Sequence, residues 1–348
     1  MEKHVVFDST MKIEKNISLK AYNSFGIDVK TAEFVSVSTL EEALNALQYI
    51  KQNQLSLLIL GGGSNVLLLQ DWPGIVLLNR LEGIELLSET SNEIKVKVGA
   101  GYNWHQFVLY SVNKGWAGVE NLSLIPGCVG GAPIQNIGAY GVELKETFVS
   151  LQAIDLNTLE ILEFDREQCA FGYRDSIFKN EWKNRLMIVS VTFQLAKNPT
   201  FKTSYGAIAD ELKKMEVTQL TIKSISDAVI SIRQSKLPNP AEIGNAGSFF
   251  KNPVVSVHQA EQLKLAYPEA VIYPVDELHS KVAAGWMIEK AGWKGYRNQD
   301  YGVHAKQALV LVNYGKANGR EIFKLSEEII QSVITKFGIE LEREVNMI

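Results

Sequence analysis

The sequence predicts an α+β protein of more than one domain. An amphipathic helix lies between two short apolar runs near the start, strand-like alternation crowds the middle third, and helical periodicity returns in the last third. At 348 residues the chain also exceeds the roughly 250 to 300 residues at which a single core stops growing.

Residues 34–38 read as a strand. Leu40–Gln52 reads as a helix with Leu40, Ala43, Leu44, Leu47 and Ile50 on one face, and 55–60 as a buried strand, so the three make a β-α-β unit. The second strand runs into Gly61-Gly62-Gly63-Ser64-Asn65, after which 66–69 and 75–78 resume strand character around a Trp72-Pro73-Gly74 turn. In the middle third 94–98 alternates cleanly, 148–156 and 159–164 form a hairpin around Asn157-Thr158, and 186–195 is a long strand. One helix, Trp104–Asn113, interrupts them. The last third carries helices at 222–234, 259–266, 282–291 and 317–337 and strands at 308–313 and 339–345. Domain boundaries are expected near 80 and 220, giving segments 1–80, 81–220 and 221–348.

Composition excludes several classes. Thirty-five basic against thirty-nine acidic side chains give a formal charge of −4, too balanced for a protein that tracks a polyanion, so no nucleic-acid partner is expected. Cys128 and Cys169 are the only cysteines, which rules out a disulfide framework or a CxxC pair. Residues 1–10 hold Glu2 and Asp8 and no apolar run of signal length, and no window approaches eighteen uninterrupted apolar residues. A cytoplasmic protein with no membrane insertion is expected. The five histidines have no metal-ligand spacing, so no metal is expected.

Four stretches could carry chemistry. The GGGSN run at 61–65 follows a strand; it could be a tight glycine turn, or its glycines could free the backbone to aim amides at an anion such as a diphosphate, with Ser64 and Asn65 adding side-chain donors. It lacks the GxGxxG spacing and an immediate helix, which disfavours a nicotinamide-type Rossmann site. In PGCVGGAPIQNIGAYG at 126–141, small residues could let a bulky planar group lie close to the backbone, or could make an Ω-loop that closes the core. Phe171-Gly172-Tyr173-Arg174-Asp175-Ser176 and the run from Arg233 and Lys236 into Gly244–Pro253 mix cations, hydroxyls and glycines. Arg174 could meet a carboxylate, and Arg233 with Lys236 a diphosphate; isolated cations also serve as surface residues paired with acids. Ser248 has no adjacent histidine to make it a nucleophile, which leaves proton donation open. Glu342 and Glu344 fall on one side of the expected last strand.

Taken in order, Asn23-Ser24-Phe25-Gly26, GGGSN, PGCVGGAPIQNIGAYG, GYRDSIFK at 172–179, GNAGSFFKNP at 244–253 and Ala283-Ala284-Gly285-Trp286-Met287-Ile288-Glu289 resemble the UDP-N-acetylenolpyruvoylglucosamine reductases, also called UDP-N-acetylmuramate dehydrogenases, over essentially the whole chain. The resemblance implies a vanillyl-alcohol-oxidase/PCMH-type FAD-binding fold of two α/β subdomains, followed by a C-terminal α/β substrate domain. It implies noncovalent FAD, NADPH as hydride donor and a UDP-sugar enolpyruvyl ether as substrate, in peptidoglycan precursor synthesis, with no obligate protein partner. It implies that hydride passes from flavin N5 to C3 of the enolpyruvyl group and a proton to C2. The cofactor residues it implies are Gly61, Gly62, Gly63, Ser64, Asn65, Pro126, Gly127, Cys128, Gly130, Gly131, Ile137, Gly138 and Ala139. Arg174 corresponds to the arginine that stabilises the enolate, Ser248 to the proton donor and Glu344 to its acidic partner; Tyr173, Tyr205, Arg233, Lys236 and Asn252 fall at substrate-binding positions. The segment around Tyr205 resembles the tyrosine-bearing loop of the longer subgroup. Where the family has Val-Arg after the catalytic glutamate, this chain has Val345-Asn346, so a different anchoring of the last strand is expected. An FAD-dependent oxidase or dehydrogenase of the same fold is the alternative, and a catalytically silent flavin- or nucleotide-binding module is a third reading.

Overall fold

In the computed structural model, which describes residues 11–204 and 207–348, helix α1 (Leu40–Gln52) begins at a reciprocal cap. The Thr39 side chain accepts from the Glu42 amide, and Glu42 reaches back to the backbone of Thr39. Ala43, Ala46, Leu47 and Ile50 are its buried face, close to the spacing the sequence predicts. They pack with Val35, Val37, Ile75 and Leu77 of the sheet beneath.

The contacts divide the described residues into two compact units, neither continuous in sequence. The first takes the residues up to Ile17, Thr31–Gly62 and Trp72–Ser235; the second takes Ser18–Lys30, Gly63–Asp71 and Lys236–Ile348.

In the first unit the β-α-β unit forms as expected, with one change. Strand Trp72–Asn79 lies between Lys30–Val37 and Leu57–Leu60 and runs parallel to both. The turn expected at Trp72-Pro73-Gly74 is therefore the first part of that strand. The reason is close approach: a Cβ on Gly74 would lie 1.9 Å from the Ser56 carbonyl oxygen, so glycine here is the residue that lets two strands meet. A second, five-stranded antiparallel sheet holds the middle of the chain; beside the expected strands it contains Ile84–Glu89, which the sequence reading leaves unassigned.

The long strand Leu186–Ala196 serves two cores by means of a bulge. Gln152 pairs with Ser190 but Ala153 with Ile188, leaving Val189 as the extra residue. Side-chain alternation reverses there: Met187 and Val189 face the core under α1, whereas Ile188, Val191, Phe193 and Leu195 face the core around Trp104 and Phe107 of α2 (Trp104–Asn113). The Trp104 indole N–H donates to the Leu122 carbonyl at 2.9 Å, so its burial leaves no unpaired donor. Helices α3 (Ile208–Lys214) and α4 (Ile222–Lys236) pack on each other through Ile208, Leu212, Ile225 and Val229.

The second unit contains α5 (Val257–Ala266), α6 (Ala284–Lys290) and α7 (Gly319–Phe337) with small antiparallel sheets. The expected strand at 339–345 does not form. Glu344 donates its amide to Phe249, while Asn346 and Ile348 donate to Asn65 and Leu67. The bonds pass from Phe249 to the 65–67 stretch within two residues, so 339–345 has no continuous partner strand and only Asn346–Met347 pairs, in parallel with Val66–Leu67. Glu342 and Glu344 accordingly part company: Glu342 is exposed and paired with Lys251, and Glu344 is half-buried. Among the described residues, no helix is long and apolar enough to cross a membrane.

Candidate active site

In the first unit, glycines shape a candidate site. A Cβ on Gly62 would stand 2.9 Å from Gly127 Cα, and one on Gly130 2.6 Å from the Ala100 side chain. Two loops, one after strand Leu57–Leu60 and one after α2, thus meet backbone to backbone. Beside them a Cβ on Gly131 would meet nothing within 4 Å. A glycine floor with open space above suits a flat, extended ligand, so the residues present fit the dinucleotide that the resemblance implies. Residues 126–141 settle as two 3-10 turns, Val129–Gly131 and Pro133–Gln135, followed by a hairpin, Gly138–Ala139 with Val142–Glu143.

The turn at Gly172–Asp175 delivers Arg174 to this hairpin. Its Nη2 donates to the Gly138 carbonyl at 2.6 Å, and a Cβ on Gly138 would lie 2.9 Å from Nη1. Arg174 has φ +55, a left-handed conformation that costs a non-glycine residue of order 1 to 3 kcal/mol and persists only where neighbours enforce it. The Tyr173 ring stacks near its guanidinium at 5.7 Å.

Arg233, on α4, reaches back to the same loops. Its Nε donates to the Leu124 carbonyl at 3.3 Å, two residues before Pro126. Burial lowers its pKa; the Tyr140 hydroxyl opposes that shift and the Arg174 charge adds to it. His105 Nδ1 accepts the Leu124 amide at 2.9 Å, which requires that nitrogen unprotonated, and burial followed by the Arg233 charge lowers its pKa. Burial raises the Cys128 thiol and pushes Cys169 up to about 12. Neither is a ready nucleophile.

The second unit holds other residues that the sequence singles out. The motif Asn23-Ser24-Phe25-Gly26 is a bracket: Asn23 Nδ2 donates to the Leu19 and Ile27 carbonyls and its Oδ1 accepts from Ile27. Against that bracket pack Gly63, whose Cβ would lie 2.0 Å from the Tyr22 oxygen, and Gly244, whose Cβ would lie 2.2 Å from the Phe25 oxygen. Asn245 then accepts from Gly247 and donates to Pro238 and Ile243, shaping the turn before Ser248. The residue after Ser248, Phe249, accepts the Glu344 amide at 2.8 Å, so the Ser248 and Glu344 segments are joined through the backbone. Asn65 Nδ2 in turn donates to the Glu344 carbonyl at 3.2 Å. Asn346 donates from backbone and side chain to the Asn65 carbonyl, at 3.1 and 3.0 Å. The final segment is thereby anchored by an amide where the family has an arginine.

Asn252 accepts the first amide of α6 at 2.9 Å and lines a cavity of about 370 Å³ with Tyr273, Trp286, Glu289 and Gln307. The sequence reading names none of those four as site residues: Trp286 and Glu289 fall in the helix expected at 282–291, and Tyr273 and Gln307 in stretches it leaves unassigned. Lys236 is exposed at the end of α4. Tyr205 lies outside the described residues. Arg174 and Arg233 belong to the first unit, Ser248, Glu344, Asn252 and Lys236 to the second.

Comparison with known proteins places this geometry in a family. Residues 31–164 match the FAD binding domain, and residues 239–348 match the C-terminal domain of UDP-N-acetylenolpyruvoylglucosamine reductase. The chain is 50% identical over 339 residues to the UDP-N-acetylenolpyruvoylglucosamine reductase of Amoebophilus asiaticus, covering 97% of this chain and all of that one. It is 49% identical to that of Flavobacterium johnsoniae with the same coverage. The crystal structure of the reductase from Thermus caldophilus shares the fold, with TM-score 0.67 at 23% identity over 97% of this chain and 99% of the other. So does 6-hydroxy-D-nicotine oxidase from Arthrobacter nicotinovorans, with TM-score 0.51 at 10% identity over 97% and 88%. The expected FAD-binding fold is thereby borne out. With half its residues shared with a relative matched from end to end, the chain belongs to the UDP-N-acetylenolpyruvoylglucosamine reductase family.

Proposed function

We propose that the chain reduces UDP-N-acetylglucosamine enolpyruvate to UDP-N-acetylmuramate with NADPH, a step of peptidoglycan precursor synthesis. Segments 1–80 and 81–220 hold the cofactor and 221–348 the substrate. Bound FAD would supply the hydride-transfer chemistry between NADPH and the enolpyruvyl group. Gly61, Gly62, Gly127, Gly130 and Gly131 provide its floor, with Cys128, Ile137, Gly138 and Ala139 along the edge.

The observation that carries this reading is the Arg174 guanidinium held against the Gly138 carbonyl at 2.6 Å, within the cofactor loops. There it meets the enolpyruvyl carboxylate and stabilises the charge that develops as C3 accepts hydride; a fixed cation acts more strongly in a dry site than in water. Ser248 Oγ delivers a proton to C2, and Glu344 sets the proton affinity of that hydroxyl. Lys236 and Arg233 bind the diphosphate, with Tyr173, Tyr205 and Asn252 completing the substrate contacts.

Anaerobic mixing tests the reading. NADPH should bleach the flavin absorbance, and the UDP-enolpyruvyl sugar should restore it with formation of one lactyl ether per flavin. Restoration by oxygen alone, with no response to the sugar, would instead place the chain among the oxidases of this fold.

A further inference from the structure

Three side chains tie the Gly172–Asp175 turn to the loop at 133–145. Besides the Arg174 bond to Gly138, the buried Ser176 hydroxyl donates to the Ile134 carbonyl at 2.6 Å. Asn136 does more. It is fully buried, and its Nδ2 donates both to the Gly172 carbonyl at 2.9 Å and to Glu143 Oε2 at 3.1 Å. Its Oδ1 accepts the Lys145 amide at 3.1 Å. One side chain therefore ties the first residue of the turn that carries Arg174 to Glu143 and Lys145, at and just past the second arm of the hairpin whose first arm the guanidinium rests on.

The backbone adds a reason for asparagine at this place. Asn136 has φ +43 and Arg174 φ +55, both left-handed, a region that asparagine tolerates better than most side chains and arginine does not favour. Gly172 and Asp175 close the turn with reciprocal backbone bonds at 3.0 and 3.5 Å, the second being long. The external bond from Asn136 to the Gly172 carbonyl reinforces the same group that accepts this long bond.

We propose that Asn136 is a positioning residue for Arg174, holding the left-handed turn so that the guanidinium stays on the Gly138 carbonyl. The inference rests on the reading that Arg174 meets the enolpyruvyl carboxylate. Asn136 touches neither reacting atom; it acts through the Gly172 peptide.

The test is a double-mutant cycle on the FAD-loaded enzyme, with Asn136→Ala and Arg174→Ala alone and together. Asn136→Ala should slow reoxidation of the reduced flavin by the UDP-enolpyruvyl sugar on the order of 10- to 100-fold, the range expected when a reacting group loses its placement. It should also weaken binding of that sugar to the oxidised enzyme, read without turnover from the perturbation of the flavin spectrum. In the Arg174→Ala background the same substitution should change both by less than about twofold, because the group it positions is gone. Asn136→Gly, which keeps the left-handed backbone, should behave like Asn136→Ala. If Asn136→Ala gives no soluble protein, Asn136→Gly replaces it in the cycle, since glycine takes the left-handed backbone without strain while removing the donor.

Effects that multiply in the double variant, or an Asn136→Gly enzyme at the parental rate, overturn the inference and leave Asn136 a purely structural residue. Slow reoxidation in Arg174→Ala combined with parental Asn136 variants overturns it while sparing the role of Arg174. Parental reoxidation by Arg174→Ala itself removes the role of Arg174, and this inference with it.

Discussion

Replacing Gly62 by alanine puts a methyl group where the structure has backbone. The new Cβ would lie 2.9 Å from Gly127 Cα and 3.2 Å from Gly127 C, against an optimal carbon–carbon separation of about 3.5 to 4.0 Å. A backbone neighbour cannot rotate aside, so the two loops must part by roughly 0.6 Å or more. Overpacking of that kind costs about 1 to 3 kcal/mol, which corresponds to FAD affinity weakened roughly 5- to 150-fold if the floor must be re-formed on binding. Melting of the apoprotein should fall as well. Gly131→Ala is the matched control, since its Cβ meets nothing within 4 Å. Shortening the list of unfolded conformations should hold or raise apoprotein stability by up to about 1 kcal/mol, while a methyl projecting into the open space beside the loop weakens FAD binding. Titration of apoprotein with FAD, followed by quenching of flavin fluorescence and paired with melting curves, separates the two. Parental FAD affinity and melting in Gly62→Ala would refute the close loop contact; parental FAD affinity in Gly131→Ala would show that the open face is not where the flavin lies.

Ser248→Ala should spare FAD binding and reduction by NADPH yet slow the second half-reaction by about two orders of magnitude or more, with Ser248→Cys retaining part of the rate because a thiol can donate; rapid mixing of each half-reaction checks this, and parental reoxidation would move the proton to another source. Lys236→Ala should raise KM for the UDP-sugar more than it slows flavin reduction, and an unchanged KM would remove Lys236 from the site. Asn23→Ala leaves two carbonyls and one amide in a buried bracket without their partner and should cost about 3 kcal/mol by chemical denaturation, since each buried group left unpaired costs about 1 to 3 kcal/mol and such losses are not additive. Stability should also depend on pH through His105 and His304. Burial lowers both pKa values, with charge from Arg233 and Lys306 respectively adding to it. The unfolded chain therefore binds protons first as pH falls, and the stabilisation is complete above the ordinary histidine pKa of about 6.5 and lost below it as pH drops through the folded values. Melting measured from pH 7.5 to 5 should show this loss, reduced in His105→Gln; a flat profile would contradict it.

Much of the fold was legible because local physics decided it. Leu40–Gln52 and Trp104–Asn113 form as the sequence predicts, since caps and apolar periodicity act over a few residues. The FAD fold and the family were legible for a different reason: glycines such as Gly62, Gly63, Gly130 and Gly244 stand where backbone meets backbone, a requirement no other residue satisfies, so their pattern survives in the sequence. Tertiary structure alone decided the rest. The bulge at Val189 that turns one strand between two cores depends on which residues of a partner strand it meets, and nothing in the alternation announces it. The end of the chain reads as a strand but divides its backbone bonds between Phe249 and Asn65, partners about 95 and 280 positions away in sequence. Asn136 lies inside a stretch that the sequence marks only as glycine-rich; its tie to Gly172 spans 36 residues. A side chain's value there comes from a carbonyl that only folding brings within reach, and composition and periodicity carry no record of such a meeting.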